Sequence, residues 1–173
     1  MRVVRTIGLG ASLAMFLAGC SDVPTTMSST AVGAATSANA AWGPETPHFN
    51  LEVILRGDGF GHVKFRQPND EEAIIYLDTW VRDLAPNTSY LLQRAVDTTV
   101  DGECTSSAWL TLGKGAVAQS ILTDDTGTGS EGLFRNVSAI PAGSRFDIHF
   151  RVINATTAAV VLESGCYEFT VSL

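Results

Sequence analysis

The chain has 173 residues, with 18 acidic residues against 11 Lys and Arg, so its formal charge at neutral pH is −7. Nucleic-acid-binding proteins need a basic surface for the phosphates, and this acidic balance argues against a nucleic acid partner. The length suffices for one domain with a substantial core but not comfortably for two. A single acidic domain is therefore expected.

The first twenty residues have the parts of a secretory signal peptide. Arg2 and Arg5 form a basic start, an apolar run follows from Ile7, and small residues precede Cys20. The apolar run is too short to span a bilayer as a stable helix. Residues 1–19 are thus predicted to be a signal segment that is removed on export.

The end of this segment, Leu17-Ala18-Gly19-Cys20, resembles the lipobox of bacterial lipoprotein precursors. The resemblance implies that the chain is cut before Cys20 and that acyl chains on Cys20 hold it on a membrane, durably if there are two or more. Ser21 stands where Asp signals inner-membrane retention in the enteric scheme, which favours the outer membrane. An ordinary signal peptide that contains a cysteine is the alternative.

Removal of residues 1–19 leaves 9 basic against 18 acidic residues, a formal charge of −9. Residues 20–46 then consist mainly of Ser, Thr, Ala, Gly and Pro, which bury too little apolar surface to offset the entropy of ordering. We predict a lipid-anchored disordered linker over 20–46, with a reach of about 28 Å. An O-glycosylated stalk is an alternative. The folded domain is expected over 47–173.

Cys104 and Cys166 are the remaining cysteines once Cys20 is acylated, and the exported compartment is oxidising. We predict that they form a disulfide. A redox pair or a pair of metal ligands is less favoured, because the sequence has no Cys-x-x-Cys and no His within four residues of either cysteine.

Apolar and polar residues alternate along the predicted domain, which indicates half-buried β-strands. The clearest alternation covers residues 145–152, with Phe146, Ile148, Phe150 and Val152 on one face. The longest predicted strand covers residues 73–84 and has apolar residues on both faces. This predicts either a central strand covered on both sides or a partly exposed aromatic patch. About nine strands result, with no amphipathic helix after the signal.

Leu84-Ala85-Pro86-Asn87-Thr88-Ser89-Tyr90 resembles the Leu-x-Pro-x-Thr-x-Tyr corner of fibronectin type III and related immunoglobulin-like sandwiches. The resemblance implies that the Tyr90 hydroxyl bonds to the backbone just upstream. It also implies the fold class, an all-β single antiparallel β-sandwich of the immunoglobulin-like type. Far more chain follows this corner than the two strands that follow it in fibronectin type III, so the strand order is not carried over.

Known catalytic and metal-binding motifs find little support. The acidic, Gly-rich turn between Asp124 and Glu131 offers oxygen ligands for calcium but fails the EF-hand spacing, so an acidic hairpin turn is preferred. His48, His62 and His149 form no His-x-His pair for copper. There is also no Gly-x-Ser-x-Gly nucleophile elbow. We expect no metal, no cofactor and no catalytic residue.

Two alternating strands each place basic side chains on one face. If these strands share a sheet, the residues form a cationic stripe that could hold an anionic envelope polymer or an acidic protein. The alternative is that the charges pair with acidic neighbours such as Asp147. The six residues are His62, Lys64, Arg66, Arg145, His149 and Arg151.

These observations favour a lipid-anchored binding or structural module of the cell envelope without catalytic activity. The alternative is an envelope enzyme that acts on glycans through a pair of facing carboxylates. The candidates for that pair are Glu52, Asp78, Glu163 and Glu168.

Overall fold

A computed structural model describes residues 49–68 and 71–172 of the chain. The predicted signal peptide, Cys20 and the linker over 20–46 lie outside the described residues. The described part contains no α-helix, and hence none long and apolar enough to cross a membrane. The predicted all-β class is confirmed.

Residues 49–68 and 71–172 form twelve strands, rather than about nine. The difference lies mainly in residues 110–122, which form four two-residue strands, because such short strands carry no readable period. The strands are β1 Phe49–Gly57, β2 Phe60–Gln67, β3 Ile74–Arg82, β4 Ser89–Asp97, β5 Leu110–Thr111, β6 Gly113–Lys114, β7 Val117–Ala118, β8 Ile121–Leu122, β9 Gly129–Asn136, β10 Arg145–Asn154, β11 Val160–Ser164 and β12 Tyr167–Thr170.

The strands are hydrogen-bonded in the order β5-β4-β10-β11-β1-β2-β3-β9-β6-β7, with β12 on β10 and β8 on β4. Among the described strands the pairing is antiparallel except for one parallel contact between Lys114 and Phe134. Residues 110–114 pair with β4 through β5 and with β9 through β6, so they link the two ends of this order. The sheet is thereby nearly closed into a barrel.

Inward-facing side chains fill the interior, as the predicted alternation requires. Phe65 on β2 meets the ring of Phe150 on β10 edge-on at 6.2 Å and that of Phe169 on β12 at 4.8 Å. The second face of β3 is the partly exposed aromatic patch, since Trp80 is 38% exposed and packs edge-on against Phe60. The buried residues predicted in the two strands are Ala73, Ile75, Leu77, Val81, Ile148, Phe150 and Val152.

The tyrosine corner has the predicted hydrogen bond. The N–H of Ala85 donates to the Tyr90 hydroxyl at 3.1 Å. Beside it, the N–H of Leu84 donates to the Gly127 carbonyl at 3.2 Å. Gly127 has a φ of +78°, and a Cβ there would collide with the Leu84 carbonyl oxygen, so this close approach requires glycine. The corner thus anchors the turn that precedes β9.

The loop between β4 and β5, residues 98–109, packs on the outer face of β4 and β10. Asp147 is fully buried there and accepts hydrogen bonds from the N–H groups of Asp101 and Gly102 at 2.8 and 2.7 Å. Cys104 in this loop forms the predicted disulfide with Cys166, their Cα atoms lying 5.4 Å apart. The disulfide ties the loop to the segment between β11 and β12.

Candidate functional site

The six predicted cationic residues lie on β2 and β10, which belong to the same sheet but are separated by β11 and β1. Most of the six contact other residues of the domain. On β2, His62 pairs with Glu52 of β1, and Arg66 donates to Asp78 of β3 at 2.7 Å. Carboxylates on the flanking strands therefore pair with both side chains.

On β10, Arg145 pairs with Glu168 of β12 and donates to it through Nε at 2.8 Å. The other two basic residues of this strand hold the covering loop. The ring of Trp109 lies 4.1 Å from the Arg151 guanidinium and 4.5 Å from the His149 ring. These contacts give the β10 residues a structural role. That the six basic residues together form an anion-binding face stays a prediction.

Lys64 makes no ion pair with another described residue, and neither do His149 and Arg151, which contact the loop instead. In register it lies between Glu52 and Asp78. It borders an open polar depression on the outer face, together with His62, Trp80 and Ser130. The structure therefore brings together two of the six residues at this depression, rather than all of them in one stripe.

The carboxylates proposed for a glycan-acting enzyme lie on the outer face as well. Glu52, Asp78 and Glu168 are the ion-pair partners just described. Glu163 is exposed and lies opposite Arg56 and Arg151 in the sheet register. Each of the four is thus next to a basic residue of a neighbouring strand.

The turn considered for calcium uses its first carboxylate internally. Asp124 accepts hydrogen bonds from the Thr126 hydroxyl at 2.7 Å and from the N–H groups of Thr126 and Thr128 at 2.8 and 3.0 Å. These bonds, the Thr126 hydroxyl first, lower the pKa of Asp124 below its usual value. Among the residues that the structure describes, no cluster of three or more His, Cys, Asp or Glu could hold a metal ion.

An apolar cavity of about 100 Å³ lies inside the sheet, between β2 and β3 on one side and β4 and β10 on the other. The sequence pattern does not predict this cavity. Most of its wall is aliphatic or aromatic, and two arginines complete it. The lining residues are Phe65, Ile75, Leu77, Arg94, Val96, Leu112, Arg135, Val137, Ile140, Phe146, Ile148, Phe150 and Phe169.

Arg94 and Arg135 occupy positions that point inward. Arg94 lies two residues after the buried Leu92 on β4, and Arg135 lies two residues after the buried Leu133 on β9. Successive side chains of a strand alternate between faces, so both arginines follow the core-facing series. Both are partly buried. Both arginines are among the residues that line the cavity.

Neither arginine forms an ion pair within the part of the chain that the structure describes. Arg135 donates through Nη1 to the Gly115 carbonyl at 3.3 Å, which places its guanidinium beside the β6–β7 turn. Burial, and then the positive charge of Arg135, lower the pKa of Arg94. Arginine stays charged despite such a shift, so the cavity wall carries two positive charges close enough to repel each other.

A signal for these two residues was present in the sequence. Leu92-x-Arg94-x-Val96 and Leu133-x-Arg135-x-Val137 both insert an arginine into an inward-facing apolar series. Charged residues are rarely buried without a partner, so this pattern marks an unusual site.

Comparison with protein-family models and with curated proteins finds no match for this chain.

Proposed function

We propose that the chain is a lipid-anchored binding module of the bacterial cell envelope, without catalytic activity. Leu17-Ala18-Gly19-Cys20 supports the anchor, and Ser21 supports a place on the outer membrane. The Ser, Thr, Ala and Gly-rich linker would hold the domain clear of the lipid headgroups.

The fold part of the proposal is an immunoglobulin-like sandwich. Strands β1, β2, β3 and β9 would form one layer, and β4 and β10 the other. The Ala85–Tyr90 corner supports this assignment. The register between β10 and β11 shifts between Val152 and Ile153. This shift also supports the assignment, because β11 would be the strand at which the two layers join. Such irregularities mark corners at which strands pass from one layer to the other.

The apolar cavity is the observation that carries the binding function. Ligand sites are concave, mostly apolar and equipped with a few polar groups that orient the ligand, and this cavity has that composition. An engineered apolar cavity of about 150 Å³ binds benzene, so a cavity of about 100 Å³ suits a group of similar or slightly smaller size.

The state of the outer carboxylates supports a non-catalytic module over a glycosidase. A retaining or inverting glycosidase needs one carboxyl group as an acid and a second as nucleophile or base. Glu52, Asp78 and Glu168 instead pair with basic side chains on the outer face, away from the cavity.

Benzene binding followed by methyl NMR tests the binding function in the full exported chain. Benzene should shift the methyl resonances of Ile75, Leu112 and Val137 saturably and leave those of Val53 unchanged. Ile140→Trp should fill the cavity and abolish the shifts. Val161→Phe is the matched control, because Val161 is also partly buried against the core but does not line the cavity. Unsaturable shifts, or equal shifts after Ile140→Trp, would exclude the cavity as a ligand site.

Mass spectrometry of the mature protein tests the anchor. The expected first residue is Cys20 carrying acyl chains, and Cys20→Ser should leave the full-length, unlipidated precursor. A mature chain that begins elsewhere would rule out the lipoprotein assignment.

A further inference from the structure

We propose that the interior cavity binds an anionic amphiphile, with Arg94 and Arg135 holding its head group. The ligand has an apolar part about as large as a phenyl ring or a short acyl segment, and one oxyanion group such as a carboxylate or a phosphate. This inference rests on the proposed function, because it names the ligand class of the same cavity.

The apolar part of the ligand follows from the cavity wall. Phe65, Phe146 and Phe150 supply ring surfaces, and Ile75, Leu77 and other aliphatic residues supply the rest. A small aromatic ring or a branched aliphatic group gains from transfer into such a wall, whereas a sugar or another polar group would lose its hydrogen bonds to water.

The anionic head group follows from the two arginines. Guanidinium groups bind carboxylates and phosphates through paired N–H donors, with the geometry set by their planar shape. The mature chain carries a formal charge of −9, yet the charged side chains at this cavity wall are both positive. A local charge opposite to that of the whole chain is a selective feature for an anion.

The two arginines also make the ligand-free domain less stable than it could be. Partly buried like charges without partner carboxylates cost free energy through desolvation and mutual repulsion. One oxyanion between them would relieve both effects. Removing either charge should therefore weaken anion binding and raise the stability of the ligand-free domain.

The test compares three ligands that share a phenyl ring and a short chain: 4-phenylbutyrate, 4-phenylbutanol and 4-phenylbutylamine. Titration calorimetry uses the full exported chain. We expect 4-phenylbutyrate to bind about tenfold or more tightly than the alcohol, and the amine to bind most weakly, because charge-assisted hydrogen bonds are worth at least that factor. A fourth ligand, 4-phenylbutyl phosphate, distinguishes the two head groups once the acid has bound more tightly than the alcohol: tighter binding than 4-phenylbutyrate would identify phosphate as the preferred head group.

Arg94→Gln and Arg135→Gln should each weaken 4-phenylbutyrate binding about tenfold and change the affinity for 4-phenylbutanol less than twofold. Each variant should also raise the melting temperature of the ligand-free protein. Arg56→Gln is the matched control, since Arg56 is exposed on the outer face and lies over the Phe60 ring. It should leave both affinities unchanged.

Equal affinity for the acid and the alcohol would overturn the proposal, as would unchanged acid binding in both arginine variants. If one variant fails to fold, the other and the ligand series on the unmodified chain still decide the outcome. Benzene binding without a preference for the acid would retain the proposed function and reject this ligand class. Loss of benzene binding as well would reject both.

Discussion

Basic side chains of this sheet have two contrasting environments. On the outer face, His62, Arg66 and Arg145 each pair with a carboxylate of a neighbouring strand. On the inner face, Arg94 and Arg135 have apolar neighbours and make no ion pair with another described residue. Acidic partners lie on the outer face, where an exposed charge costs little free energy. Among the described residues, the inner face has no such partner, although partial burial makes a charge more costly there.

This difference separates residues that serve the fold from residues that indicate a ligand. Exposed ion pairs are weak and common, so the outer pairs carry little functional information. Inward arginines without carboxylate partners lower stability, and such residues are typical of sites where function requires them. The contrast between outer and inner arginines is therefore the basis for locating the candidate site inside the sheet.

The largest expected effect concerns the loop over residues 98–109, which covers His149 and Arg151 on the outer face. Replacing Cys104 and Cys166 together by Ala should lower the free energy of unfolding by about 4 kcal/mol, because the disulfide closes a loop with a sequence separation of 62. Urea unfolding measures the change. The benzene-induced shifts in the cavity should persist in the folded fraction. Their loss would show that the inner site depends on the outer loop.

Arg94→Met should raise the free energy of unfolding of the ligand-free protein by about 1 kcal/mol, since it removes a partly buried charge that has no carboxylate partner and keeps the apolar stem. Arg66→Met is the outer-face counterpart and should lower stability by less than about 1 kcal/mol, because its pair with Asp78 is exposed. Urea unfolding at neutral pH compares the two. The contrast between the faces would be wrong if both changes had the same sign.

Arg151→Ala should lower stability by about 1 kcal/mol. The side chain donates to Gln93 at 2.8 Å and lies against the Trp109 ring, so both a hydrogen bond and a cation–π contact are lost. Near-ultraviolet circular dichroism should report the change around Trp109. An unaltered tryptophan signal would mean that Arg151 does not hold the loop.

The smallest effect concerns Asp124, an exposed carboxylate that neutral donors hold in place. Its pKa is lowered in the folded protein, so its contribution to stability is present above the unfolded pKa of about 3.9. This contribution is lost as the pH falls through the lower folded value. Asp124→Asn should thus destabilise the protein at pH 7 and have little effect below the folded pKa. Thermal unfolding across this range gives the measurement, and an effect independent of pH would contradict it.

The parts of the fold that have a local period could be predicted from the sequence. Strands β3 and β10 follow alternations that extend over eight or more residues, and their inward residues are buried as expected, apart from Phe146, which is partly buried. The strands between residues 110 and 122 have two residues each, which leaves no period to detect. Likewise, β9 begins at Gly129, inside the segment between Asp124 and Glu131 that the sequence predicts to be a hairpin turn.

The partners of charged residues could not be predicted, because they depend on strand order. Alternation indicates that Arg66 faces outward, but its pairing with Asp78 requires β2 and β3 to be neighbours in a particular register. For Arg94 and Arg135 the local pattern was visible. A charge in an apolar series commonly marks the end of a strand's alternation. Here each arginine lies within the alternation, so the pattern alone does not identify it as an inward residue.

The side-chain resonances of Arg94 and Arg135 test whether these two residues together bind an oxyanion head group. In the full-length protein labelled with nitrogen-15, 4-phenylbutyrate should shift the Nε–Hε signals of Arg94 and Arg135 saturably, with one shared dissociation constant. The signals of Arg56 and Arg66 should stay in place. Saturable binding of 4-phenylbutyrate that leaves the Arg94 and Arg135 signals unmoved would exclude these two arginines as the head-group site.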